Sequence, residues 1–331
     1  MPANLTPQYK KAEEEYRRAG TPEEELRCLQ VMLREMPKHK GTDKLQADLK
    51  QRISKVKKEL EGQAKAAGKR GPGFRLPRQG AGRAVIIGGP NAGKSQLLAS
   101  LTRASPVVAE YPFSTHEPLP GMMPFEDVMV QLVDTPPITA GALDTTTQGL
   151  IRGADLVLLL ADLGCDEGID QFQEVIDRLV QTKTRLGRTS HLDEEDLGVS
   201  HTQTLLVPNK IDVPDARSRL ELLHEICPLD CDELVISALH GTGLEDLRAR
   251  IYQSLDVVRV YTKQPSHKEP DYSQPFTVRR GSTLLDVAEQ VHRDFARDLK
   301  FARVWGSQVH PGTTVKGDYV VHDRDVVELH I

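Results

Sequence analysis

The run Gly88-Gly89-Pro90-Asn91-Ala92-Gly93-Lys94-Ser95 fits the spacing G-x-x-x-x-G-K-[ST]. Ahead of it, Arg83-Ala84-Val85-Ile86-Ile87 reads as a short buried strand, and behind it Leu97, Leu98 and Leu101 recur at helical spacing. Strand, glycine-rich turn and helix in that order make a phosphate-binding loop. A polyphosphate needs a concave ring of backbone N–H donors, and Gly88 and Gly93 free the chain to form one. Lys94 sets an ammonium against the β and γ phosphates, which also makes it the first candidate for a catalytic role. Ser95 offers a hydroxyl to Mg2+ and opens a helix whose N-terminal dipole favours the anion. Pro90, Asn91, Ala92 and Gln96 complete the candidate nucleotide contacts of the loop.

Working outward, three more signals follow in chain order, each at the end of a predicted strand. Gly121 to Pro124 and Val128 to Val133 flank Glu126-Asp127 as a hairpin, and its second arm ends in Asp134-Thr135-Pro136-Pro137. An aspartate there is placed to hold Mg2+ through water. Thr204 to Val207 runs into Asn209-Lys210-Ile211-Asp212, and Glu233 to Ile236 runs into Ser237-Ala238-Leu239. Open α/β sheets bind ligands at that edge. The Asp212 carboxylate matches the adjacent N1–H and N2–H2 donors of guanine, a pair that adenine lacks, so an ATPase is the weaker reading. Asn209 and Lys210 are expected to brace the loop, and the Ala238 N–H to donate to guanine O6.

Between these signals, Asp155 to Asp162 is a buried strand, with helices marked by Phe172, Val175, Ile176 and Leu179 and by Ala216, Leu220, Leu223 and Cys227. Strand and helix alternate, which gives the α/β class with a doubly wound, mostly parallel sheet. Residues 183 to 202, polar around Asp193-Glu194-Glu195-Asp196, read as an exposed excursion.

The 331 residues, 38% hydrophobic with a net charge of -5, suffice for two or three modest cores. The four cysteines form no C-x-x-C pair, and Cys227 with Cys231 has no histidine neighbours at metal-ligand spacing, which favours reduced thiols over zinc. The longest apolar run, Leu156 to Ala161, is far short of the ~20 residues of a spanning helix. The N-terminus shows no apolar signal core. A cytoplasmic monomer without membrane contact is the expectation.

Residues 6 to 62 read as three helices. Thr6-Pro7 starts the first and Thr21-Pro22-Glu23-Glu24 the second, while Leu45, Leu49, Ile53, Val56 and Leu60 mark the third. Eight basic residues between Lys38 and Lys58 face only Asp43 and Asp48. From Gly62 to Ala109 there is no acid, while Lys65, Lys69, Arg70, Arg75, Arg78 and Arg83 punctuate a Gly-rich stretch whose cations would follow a phosphate backbone. This cationic strip suggests RNA as a partner, the alternative being a solvated helix face. Beyond Ser254, Val257 to Tyr261, Phe276 to Arg279, a helix through Leu284, Val287, Ala288, Val291 and Phe295, Phe301 to Trp305 and the alternating Val327, Leu329 and Ile331 make a separate β-β-α-β-β unit.

On these motifs the chain resembles the Obg-type GTPases, most closely the developmentally regulated GTP-binding (DRG) branch. Tyr111-Pro112-Phe113-Ser114-Thr115 resembles that family's switch I, which implies that Thr115 closes on Mg2+ and the γ-phosphate and takes part in catalysis. Arg259-Val260-Tyr261-Thr262-Lys263, Pro270-Asp271-Tyr272 and Ala302-Arg303-Val304-Trp305-Gly306 resemble the TGS domain, a β-grasp or ubiquitin-like fold. The resemblance implies a GTP-driven switch with slow intrinsic turnover, associated with ribosomes or RNA in translation. Asn91 matches the loop form of potassium-stimulated relatives, which implies K+ beside the phosphates in addition to Mg2+. The expected organisation is a helical region over 1–62, a basic linker over 63–82, a G domain over 83–255 and a TGS domain over 256–331.

Three departures stand out. The large insertion of eukaryotic members ahead of the guanine motif is replaced by the excursion at 183 to 202. Pro137 occupies the place of the glycine that ends Asp-x-x-Gly. Ile138-Thr139-Ala140-Gly141 shares little with the family's switch II beyond the apolar Ile138; no catalytic glutamine follows the motif, Ile138 standing there instead. The rival reading is an adaptor that binds nucleotide and RNA or ribosomes while hardly hydrolysing GTP.

Overall fold

The computed structural model describes residues 5–19, 21–37, 42–66, 76–102, 117–193, 196, 198–265, 267 and 269–331. Switch I, with Thr115, and the linker cations Lys69, Arg70 and Arg75 lie outside the described residues.

Three helices come first: α1 (Pro7–Arg18), α2 (Pro22–Glu35) and α3 (Asp43–Ala66). The Thr6 and Thr21 side chains accept the N–H groups of Tyr9 and Glu24, each at 3.1 Å, so the first two helices start where their caps place them. Tyr9, Leu29, Met32, Leu49 and Val56 bury their common face.

A sheet forms the middle of the molecule. The chain runs through β1 (Arg83–Gly88), α4 (Lys94–Leu101), β2 (Leu119–Phe125), β3 (Val128–Asp134), α5 (Thr145–Arg152), β4 (Leu156–Asp162) and α6 (Glu167–Gln181). It continues through β5 (Thr184–Gly187), β6 (His191–Leu192), β7 (Ser200–Asn209), α7 (Ala216–Ile226), β8 (Asp232–Glu233) and α8 (Leu244–Ser254). Strand order is β2-β3-β1-β4-β7-β5, with β6 and β8 also paired to β7. β2 joins β3 antiparallel, whereas β3, β1, β4 and β7 run parallel. Both faces are covered because successive residues alternate sides. Ile86, Leu158 and Leu160 pack with α4 and α8, while Val85, Val157 and Leu159 pack with α5, α6 and α7.

The sequence pattern predicts an exposed excursion over 183 to 202, and the structure corrects this. β5 and β6 pair with the first half of β7, and Thr184, Ser200 and Thr202 are buried. Hydroxyl side chains count as polar in a composition scan although threonine is a good strand former, which hides such a segment. Leu192 enters the helical core, and its N–H donates to Glu13 on α1. The segment therefore docks the N-terminal helices onto the sheet.

The last unit comprises β9 (Val257–Thr262), β10 (Asp271–Arg279), α9 (Leu284–Val291), α10 (Arg293–Asp298), β11 (Phe301–Gly306), β12 (Val309–Val315) and β13 (Asp325–His330). Its sheet order is β10-β9-β13-β11-β12, with β9 and β13 parallel, which is the β-grasp arrangement. β12 adds a strand to the β-β-α-β-β expectation. Its run Val309-His310-Pro311-Gly312-Thr313-Thr314-Val315 carries Pro and Gly, which disguise a strand paired on one side only.

Candidate functional site

The edge formed by the C-terminal ends of β1, β3, β4 and β7 gathers the motif residues. Gly88 ends β1, where a Cβ would lie 2.8 Å from the Leu160 carbonyl oxygen. Gly93 caps α4 with φ 92° and faces the Asn209 amide so closely that a side chain would collide with it. Asn91 also takes positive φ, 55°, at the exposed crest of the loop, and its amide has no hydrogen-bond partner among the described residues. Gln96 points outward on α4, toward Ser100.

Lys94 is the first residue of α4 and is buried. Its Nζ donates to the carbonyls of Gly88 and Gly89 at 3.2 and 2.8 Å. Burial pushes its ammonium down to about 8, against the opposing pull of Asp134. Ser95 Oγ donates to Asp134 Oδ2 at 2.6 Å. Burial drives the Asp134 carboxyl up from its ordinary value, and Oδ1 has no partner among the described residues. A hydroxyl and a carboxylate with an orphaned oxygen are hard oxygen donors of the kind that Mg2+ takes.

Segment 135–138 withholds N–H groups from the loop. The Thr135 N–H faces the Asp134 carboxyl, Pro136 and Pro137 have none, and the Ile138 N–H donates to the Gly88 carbonyl at 3.2 Å. Ile138 itself is buried against the sheet.

Asn209 is the keystone of the guanine motif. Its Nδ2 donates to the Ala92 carbonyl and its Oδ1 accepts the Ala238 N–H, both at 2.9 Å, so one side chain joins the phosphate loop to the turn before α8. The sequence assigns this N–H to guanine O6; in this structure Asn209 engages it. Lys210 takes φ 69° and pairs with Asp162 Oδ2 at 2.6 Å. Asp162, which also accepts the Gly164 N–H at 2.7 Å, was not singled out from sequence; the signal is an acid closing the apolar run of β4. Asp212 is exposed, with its carboxyl held below the usual range chiefly by the Ser237 hydroxyl, and His240 Nε2 lies 3.5 Å away. Ser237 is buried, Ala238 accepts from Ser100 Oγ at 2.9 Å, and Leu239 is 70% exposed above the same turn.

The linker reading needs revision at two positions. Arg78 pairs with Asp155 at 2.7 Å, and the buried Arg83 donates to Gln131 and the Leu76 carbonyl, each at 2.7 Å. Both are structural ties rather than mobile cations.

Residues 83–190 match the family of 50S ribosome-binding GTPases, and residues 258–331 match the TGS domain. An uncharacterized GTP-binding protein of Methanocaldococcus jannaschii is 29% identical, the alignment covering 93% of each chain. Developmentally-regulated G-protein 1 of Arabidopsis thaliana is 28% identical, covering 92% of this chain and 90% of its own. GTP-binding protein 1 of Schizosaccharomyces pombe is 27% identical, covering 92% and 98%. In fold, the chain resembles the Schizosaccharomyces pombe YchF GTPase, with a TM-score of 0.51 at 14% identity over 77% of this chain and 99% of that one.

Proposed function

From the premise that this chain is a GTPase of the Obg and DRG type with a C-terminal TGS domain, we propose that it is a GTP-binding and hydrolysing switch acting on the ribosome or RNA in translation. The observation that carries the reading is the Asn209 bridge, because it holds the phosphate loop and the Asp212 turn in one cleft at the ligand-binding edge of the sheet.

In this reading Asp212 selects guanine through N1–H and N2–H2. The Ala238 N–H is engaged by Asn209, so contact with O6 falls to the next N–H, that of Leu239, or requires Asn209 to turn. The phosphate-loop amides and Lys94 hold the β and γ phosphates. Lys94 leaves two carbonyls for the polyphosphate, and the incoming anion favours its charged form. Ser95 and Asp134 are the residues that would hold Mg2+, which supplies positive charge at the β–γ oxygens. Asn91, with its free amide, is the candidate for K+, and Thr115 the candidate second hydroxyl of switch I. With Ile138 buried, no side chain at that position orients water, which accords with slow intrinsic turnover. The family match at residues 83–190 and the TGS domain support ribosome or RNA contact.

GTP turnover by the purified protein, with and without ribosomes and in potassium or sodium chloride, tests this. Turnover raised by ribosomes and by potassium is the expected result. Tight GTP binding with no turnover under any of these conditions would favour the adaptor reading.

A further inference from the structure

Three parts of the chain converge on Asp155, whose side chain is only 8% exposed just ahead of β4. Arg18 of α1 reaches Oδ1 and Arg78, before β1, reaches Oδ2, both at 2.7 Å, while Arg279 of β10 approaches Oδ1 at 3.7 Å. The Arg83 N–H takes Oδ2 as well, at 2.9 Å. Arg17 stands beside them with Nη2 on the Arg152 carbonyl at 3.2 Å, and Arg279 Nη1 bonds Glu14. Acceptors run short here: the Nε atoms of Arg17 and Arg279 are buried without a partner among the described residues.

Charge is equally unbalanced. The ions that face the cavity are Arg17, Arg18, Arg188 and Arg279 against Glu14, Asp155 and Asp256, one positive charge in excess, with Arg78 and the Arg83 N–H behind Asp155. Arg188 pairs with Asp230 at 2.7 Å, while Asp256 pairs with Arg280 at 2.9 Å and also attracts Arg279. Burial is the main cause that lowers Arg17, Arg78, Arg83 and Arg279 from the ordinary arginine value, with repulsion from neighbouring arginines adding to it. A partly buried excess of guanidinium is the setting in which an oxyanion recovers both charge and hydrogen bonds.

There is room for one. A cavity of about 410 Å³ opens on Arg17, Arg18 and Arg279, with the hydroxyl and amide groups of Thr189, Ser190 and Gln253 on its walls. That volume falls in the range of small-molecule sites.

We propose that this junction is a second anion site, separate from the phosphate loop, that takes a phosphate group either as the free ion or as the monoester of a small hydroxylated molecule. Arg17 and Arg18 belong to α1 and Arg279 to β10, and both segments meet at Asp155 of the central unit, so a phosphate among these arginines ties the N-terminal helices and the β-grasp unit together there.

The test uses the full chain saturated with GDP, so that the phosphate loop is filled. Inorganic phosphate and ribose 5-phosphate are titrated separately and followed by 31P NMR; tighter binding of the ester would identify the wall hydroxyls and amides as part of the site. Saturable binding of one equivalent is expected, weakened at least tenfold in Arg17→Gln. Thr189→Glu puts a carboxylate on the exposed rim and removes no contact of the arginine cluster. It should weaken phosphate at least tenfold while leaving GDP affinity and melting temperature unchanged, and it decides the matter should Arg17→Gln not fold. Absence of saturable binding to the wild type, equal binding by Thr189→Glu, or displacement of GDP by phosphate would each overturn the proposal.

Discussion

Asp212 stands exposed at the end of β7 with its carboxyl turned to Ser237, so an acceptor pair faces the turn that would hold a base. Asp212→Asn should exchange guanine for xanthine, because the amide opposes the N2 donor of guanine yet donates to the xanthine oxygen. Competition between GTP and XTP reads this directly, and unchanged affinities for both would remove the guanine assignment. Pro137 makes the second residue prediction. The other N–H groups of its segment are turned to Asp134 and to Gly88, so residues 135–138 have no spare donor for a γ-phosphate. A hydrogen bond to a charged group contributes about 1.5 to 3 kcal/mol, so Pro137→Gly should tighten a non-hydrolysable GTP analogue by roughly ten- to a hundredfold and leave GDP nearly unchanged. Equal affinities before and after would mean that the missing donor is mechanistically silent. The motif residues themselves were legible because the first three signals lie at strand ends in fixed order, while the expected strand before Ser237 shortens to β8 at Asp232–Glu233. The bond from Asn209 to Ala238 was not legible, since it joins residues 29 positions apart whose meeting depends on how two loops fold.

Among elements, α1 owes its position to β6, which periodicity could not find in a two-residue strand dressed in polar neighbours. The N-terminal helices, the hairpin and the central parallel strands follow their sequence pattern because their apolar faces repeat over many residues, whereas the single helix expected from Leu284 through Phe295 is broken at the extended His292 into α9 and α10. β5, β6 and β12 are short or interrupted by Pro and Gly and give no such repeat. The contact of α1 with β6 has a cost that can be measured. Glu13 is buried, accepts the Leu192 N–H, and has its carboxyl pushed up from 4.5 mainly by burial, which outweighs the attraction of Arg17. In the interval above pH 4.5 the folded chain holds a proton there that the unfolded chain has released, so this group's contribution to stability is largest below that pH and declines as pH rises through the folded value. Glu13→Gln keeps an oxygen for Leu192 and removes the buried charge. Urea midpoints measured from pH 4 to 8 should therefore rise relative to wild type toward neutral pH and converge with it at the acid end. A lower midpoint at pH 7 would show that pairing with Arg17 dominates.

At the scale of the whole molecule, the question is what fastens the β-grasp unit to the strands that lead to the motif residues. Arg259 on β9 is buried, and its guanidinium spans Asp323 of its own unit, at 2.7 Å, and the β2–β3 turn, where it bonds Glu126 and Asp127. The Tyr261 hydroxyl donates to Asp127 as well. That turn joins two strands with direct bearing on the site: β3 ends at Asp134, and β2 follows the segment that holds Thr115. Composition marks Arg259 only as one cation among 43 Lys and Arg residues, and nothing in its neighbours shows that it reaches 132 positions back in the chain. Glu126, Asp127 and Asp323 are partly exposed, so water recovers them when the arginine is lost. Arg259→Gln should therefore cost about 1 to 3 kcal/mol, less than breaking a fully buried pair. Hydrogen exchange over 119–134 should quicken in that variant while GDP affinity holds. The pair Glu126→Gln with Asp127→Asn separates two meanings of the same loss, because it cuts the tie between units and leaves the bond to Asp323 in place. If the pair quickens exchange at the hairpin as Arg259→Gln does, the β-grasp unit is fastened to the strand that carries Asp134, and a partner that grips that unit can pull on the site. If only Arg259→Gln has an effect, the guanidinium acts through Asp323 or through the Tyr252 ring of α8, 5.7 Å away, and the hairpin is not the tie between the two units.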